Sequence, residues 1–133
     1  MGIMSVRQHT GIAVLLLSTT LAGLNLIAFR YFLYWRLRWF DMPMHFLAGV
    51  VVASVVLWVL TFEIPPTSNL TRYRFALVFG VTLAVGIAWE VFEYAAGITR
   101  GEPGYWFDTL HDLVMDGVGG AALYWLVSVY GKK

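Results

Sequence analysis

The chain has 133 residues, of which 59% are hydrophobic and 13% are charged. A soluble domain carries roughly 25% charged residues, so this composition, with a mean hydropathy of +0.72, excludes a soluble enzyme and a disordered chain. The absence of cysteine excludes a disulfide scaffold, and a formal charge of +1 leaves no basic excess for nucleic acid. What remains is an all-α integral membrane protein.

A bilayer core of about 30 Å takes roughly 20 mostly apolar residues per helix. Four stretches qualify, at about 11–29, 44–62, 73–98 and 109–130. They predict a polytopic bundle of four transmembrane helices forming a single domain, 1–133. The apolar runs are too long, and alternate too little, for a barrel. The first span follows Arg7 but is longer than the apolar core of a signal peptide. It is therefore expected to stay as a membrane helix.

The segments between the spans differ. Arg30 to Phe40 reads RYFLYWRLRWF, arginines interleaved with aromatics, which suits the headgroup region. Ile64 to Arg74 is a short turn with two prolines. Gly97 to Asp108 holds Arg100, Glu102, Pro103 and Gly104 and is expected to be ordered. Four spans put both termini on one side. That side collects Arg7, Arg72, Arg74, Lys132 and Lys133 against Arg30, Arg36, Arg38 and Arg100 opposite, too even a division to orient the chain.

The acids carry the functional signal. Asp41 precedes the second span, Glu90 and Glu93 lie late in the third, and Asp108, Asp112 and Asp116 run into the fourth. Because span direction alternates, all six share one depth at one membrane face. Asp41 and His45 are one helical turn apart, and Asp108, Asp112 and Asp116 form a stripe of successive turns. His111, three residues beyond Asp108, is expected to face the same way. Each stripe continues into small residues (Ala48 and Gly49; Gly86 and Gly97; Gly119 and Gly120), the kind used where membrane helices approach closely. The acids are thus expected to point into the bundle.

An ionised carboxylate at a span's centre costs about 2.5–3.5 kcal/mol. Several of them need protons, water, a base or a cation, and bases are scarce; Arg100 is the nearest. A divalent metal (Mg, Mn, Fe or Zn) held by Asp41, His45, Glu90, Glu93, Asp108, Asp112 and Asp116 is the economical answer. Helix capping is the plain alternative for Asp41 and Asp108, and a satisfied core position for His45. Trp89, Trp106, Tyr94 and Tyr105 read as interfacial belt residues, and Asn25 as an interhelical donor.

The set Asp41-x-x-x-His45-Phe46, Trp89-Glu90-x-x-Glu93 and Tyr105-x-x-Asp108-Thr109-x-x-Asp112-x-x-x-Asp116-x-x-Gly119 resembles the YjdF-like inner-membrane proteins and the broader VanZ-like group. The resemblance covers Asp41 to Gly120. VanZ-like proteins usually have Lys where Met42 stands, Gln at Glu93 and Asn at Asp116, so this chain is the more acidic; YjdF-like proteins are commonly longer. The likeness implies an integral protein of a bacterial or archaeal plasma (inner) membrane with a shared polar centre, and no fixed reaction.

Three functions compete. The first is a metal-dependent enzyme acting on a lipid or polyprenyl phosphate, with His45 or Glu90 as general base and Arg100 and His111 toward the substrate. The second is a proton- or cation-coupled carrier or channel, for which four spans would call for a homo-oligomer. The third is a non-catalytic resistance or scaffold protein of VanZ-like type, clamped by a cation. Membrane lipids are the expected partners in each.

Overall fold

In the computed structural model, residues 5–37, 39–65, 69–101 and 103–130 are described. Arg38, Glu102, Lys132 and Lys133 lie outside them. The elements in chain order are α1 (Val6–Arg30), α2 (Leu33–Arg36), α3 (Asp41–Phe62), a 3-10 turn (Asn69–Tyr73), α4 (Arg74–Ala96) and α5 (Tyr105–Tyr130). Among the described residues there is no strand. Four of the helices, α1, α3, α4 and α5, are long and apolar enough to cross a membrane.

The helix ends move from their expected places for local reasons. Helix α1 starts at Val6 because Ser5 caps it: the Ser5 hydroxyl accepts from the Gln8 N–H, and the Ser5 N–H donates to Gln8 Oε1 at 2.8 Å. Helix α3 starts at Asp41, before the expected Met44, because Pro43 sits in its first turn, where a missing N–H goes unnoticed. Phe40 is the N-cap, so Asp41 is already helical and does not cap. Helix α5 starts at Tyr105, four residues early, after Gly104 turns the chain at φ 89°. Asp108 therefore also lies inside its helix, in the first turn, where a negative charge suits the helix dipole. Helix α4 stops at Ala96. Gly97, expected to continue a packing stripe, instead ends the helix at φ 78°, and the Ile98 N–H closes back on the Glu93 carbonyl at 3.0 Å.

Helix α3 is the centre of the bundle. It packs on α5, α4 and α1, most extensively on α5. Two glycines make that crossing close. A side chain at Gly49 would drive its Cβ into the Asp116 carbonyl oxygen, and one at Gly119 into the Phe46 carbonyl oxygen. The apolar core, Ala53, Leu57, Leu60 and Val78, fills the half of the bundle where α3 ends and α4 begins. In that half the Ser54 and Thr82 hydroxyls bond their own helices, to the Val51 and Val78 carbonyls. Phe107, Leu110, Val114, Val118 and Trp125 form an exposed face of α5 opposite its buried acids, as a lipid-facing stripe should.

Helix α1 is peripheral, with only Ala28 buried. It is tied to α3 at one end by an Arg7–Glu63 ion pair and by Trp58, whose Nε1 donates to the Arg7 carbonyl at 3.3 Å. At the other end the chain reverses through Phe32, at φ 57°, and α2 folds Tyr34 back against Phe29. The arginine-aromatic segment is thus more than an anchor: it puts one ring over the end of the bundle.

Candidate metal centre

The cluster lies where α3 and α5 begin and α4 ends, and His45 is its centre. Being one turn beyond Asp41, its ring is directed inward from α3, and it is 5% exposed. Its Nδ1 meets Asp116 Oδ2 from α5 at 3.3 Å. Its Nε2 faces Asp41 Oδ1 at 3.6 Å and Glu90 Oε1, from α4, at 3.8 Å. Asp112, one turn before Asp116 on α5, is also buried. Asp41, His45 and Asp112 each place one ligand atom within 4.8 Å of the others, an arrangement that can hold a metal ion.

The donor chemistry fits a divalent cation. A metal-bound imidazole normally gives its second ring N–H to a carboxylate, which fixes the tautomer and raises ligand basicity. Asp116 stands in that position on Nδ1, and Nε2 faces Asp41. One imidazole with several carboxylates suits the harder and borderline first-row ions. Glu90 adds to the fit. Its Oε2 accepts the Thr109 hydroxyl at 2.7 Å, while its Oε1 is buried with no hydrogen-bond donor and points at the same spot. Among the described residues His45 is the one basic side chain within ion-pair distance of these carboxylates.

The other expected site residues lie further out. Glu93 is half-buried and sits 60° round α4 from Glu90, so it faces α1 and α2 rather than α5. Asp108 is exposed, one turn nearer the helix end than Asp112. Both line cavities beside the cluster rather than the ligand-distance group. Arg100 and His111, expected toward the substrate, line neither cavity. Arg100 is exposed past the Gly97 turn, its guanidinium 5.2 Å from the centre of the Tyr94 ring. His111 is about 100° round α5 from Asp112. Its ring packs on Phe107, with Nδ1 2.7 Å from the Phe107 carbonyl oxygen.

Two cavities adjoin the cluster. One, of about 220 Å³, runs down from Asp41, His45, Glu93 and Asp116 between apolar residues of α1, α3 and α4. The other, of about 260 Å³, lies at the membrane-face end and includes Thr99, Tyr105 and Asp108. Phe29, Tyr34, Asp41 and Glu93 wall both. The Tyr34 hydroxyl donates to Asn25 Oδ1 at 2.7 Å, so Asn25 is an acceptor rather than the expected donor. Burial, and then the Asp41 and Glu93 carboxylates, push the Tyr34 hydroxyl above the ordinary tyrosine range and keep it a donor.

Tyr34, Trp89 and Thr109 are the site residues that sequence reasoning passed over. Thr109 was detectable: it is three residues before Asp112 and therefore on the acid stripe. Trp89 was assigned to the interface, but it lines the deeper cavity. Neither the curated proteins nor the solved structures contain a significant match to this chain. The family described as "Predicted membrane protein (DUF2238)" matches residues 4–133. With four apolar spans around a buried acid-histidine cluster, and a family match along almost the whole sequence, the chain belongs to that family of predicted membrane proteins.

Proposed function

We propose that the cluster binds one divalent cation through Asp41, His45 and Asp112, and that the loaded site acts on the phosphate of a lipid or polyprenyl phosphate from the surrounding membrane. The observation that carries this reading is the posture of His45: one ring nitrogen is turned to Asp116, and the other faces carboxylates from its own helix and from α4. A bound divalent cation would neutralise charge on phosphate oxygens. The chain's own contribution is to hold and move a proton. Glu90 Oε1 has no donor, and Oε2 is held by Thr109, so Glu90 is the oriented general base. With Nε2 given to the cation, His45 serves as ligand and Glu90 takes the base role.

A second reading has its own support. The cluster joins α3, α4 and α5, so a cation there would also clamp three helices, as a non-catalytic scaffold or VanZ-like resistance protein would need. A pathway across the membrane has less support, because the opposite half of the bundle is filled by Ala53, Leu57, Leu60 and Val78. Bacterial or archaeal plasma membrane is the location that the YjdF-like resemblance suggests.

Elemental analysis of detergent-purified protein dialysed against Mn²⁺ or Zn²⁺ tests the metal. The wild type should retain one ion per chain and Asp112→Asn should lose it; a wild type that retains none overturns the reading. Glu90→Gln then separates the two functions. It should abolish turnover of a lipid phosphate while keeping the fold, whereas a clamp would show no turnover in either protein.

A further inference from the structure

The deeper cavity has a shape that the metal reading leaves unused. Along α3 it extends from Asp41 to Val52, about 16 Å at 1.5 Å per residue, or roughly half of a 30 Å bilayer core. Its walls come from α1 (Leu21), α3 (Val51, Val52) and α4 (Val85, Trp89). Helices α1 and α4 each pack on α3 and have little contact with each other. The cavity is therefore a wedge bounded by α1, α3 and α4 that is not fully enclosed. Val85 on its rim is 46% exposed.

Few polar groups line this wedge below its upper end, and two of them are already paired. The Asn25 amide oxygen accepts Tyr34, and the Thr82 hydroxyl donates to its own helix. The lower walls are mostly apolar, and at this depth hydrocarbon is what surrounds a membrane-spanning protein. The upper end is the reverse, with Asp41, His45, Glu93 and Asp116 on the wall. An occupant must be apolar along its length and polar at that one end.

We infer that the wedge between α1 and α4 is a slot for one hydrocarbon chain of a membrane lipid, entered sideways from the bilayer, with the lipid's polar end delivered to Asp41 and His45. This deepens the proposed function and rests on it for the role of the polar end. Loading from the side needs no lid. It also sets the substrate class as a chain-bearing amphiphile of one leaflet rather than a water-soluble phosphate.

The test is photolabelling in phosphatidylcholine nanodiscs doped with phosphatidic acid that carries a diazirine midway along one acyl chain. Label should concentrate on the Leu21 region of α1 and on Val51 and Val52 of α3, above the outward face at Val114 and Val118. Val85→Trp, which fills the opening, and Ala48→Phe, which fills the floor, should each lower the cavity label to the level of that face while metal content stays at wild type. Even labelling of both faces, or labelling that neither folded variant changes, overturns the slot. If both variants lose the fold, the wild-type map decides alone. The two claims fail separately: a metal-free protein labelled in the cavity keeps the slot and loses the metal centre, and a metal-loaded protein labelled evenly does the opposite.

Discussion

Asp116 and Gly86 bear on the proposed site through the imidazole of His45. Asp116 holds His45 Nδ1 at 3.3 Å, and a carboxylate in that place usually contributes 10–100-fold to metal affinity. Asp116→Asn keeps the shape and removes the charge, so it should weaken Mn²⁺ or Zn²⁺ binding by about that factor in a titration, with the helices intact. Gly86 reaches the same atom from α4. A Cβ there would overlap Asp116 Oδ2. Because that oxygen ends a side chain rather than belonging to the backbone, Gly86→Ala should leave the helices folded. It should push the carboxylate off the imidazole and weaken metal binding in the same direction as Asp116→Asn. A Gly86→Ala protein that binds metal as well as wild type would mean that Asp116 does not orient His45.

At the scale of helices, the crossing of α3 and α5 sets the distance between His45 and its partners. At Gly49 and Gly119 the obstacle to a side chain is a backbone carbonyl, which cannot swing aside. Gly49→Ala and Gly119→Ala should each cost about 1–3 kcal/mol as overpacking, read as a lower melting temperature in detergent. Gly80, with nothing near it, is the control: Gly80→Ala should be neutral or slightly stabilising, because alanine is the better helix former. This crossing was legible in the sequence, since the acid stripes run into Gly49, Gly86, Gly119 and Gly120 at helical spacing. Gly97 has the same spacing and was misread, because spacing alone does not tell a packing glycine from one that ends a helix. The common depth of six acids was legible from alternating span direction. Which of them meet was not, because that depends on the rotation of each helix about its axis. Rotation separates Glu90 from Glu93, and Asp112 from His111. Tyr34 depended on a chain reversal at Phe32 that no periodic pattern announces.

Across the whole molecule, the four spans are not equal partners. Helices α3, α4 and α5 each give a buried acid or histidine to the cluster, and α1 gives none. A cation there should therefore stiffen three helices and leave the fourth alone. A ligand that binds only the folded state adds about 2.7 kcal/mol of stability at 100 times its Kd, so Mn²⁺ or Zn²⁺ should raise the melting temperature and a chelator should lower it. His45→Ala should abolish the response. Hydrogen exchange locates the effect. With metal, exchange should slow in the first turns of α3 and α5 and the last turns of α4, where the ligands and Glu90 lie. Exchange in the first turns of α1 should be the same with and without metal, because Arg7 and Trp58 hold that end of the helix away from the cluster. Equal protection of all four helices would mean that the ion acts through overall compaction, and the cluster would then lose its place as the centre that binds it.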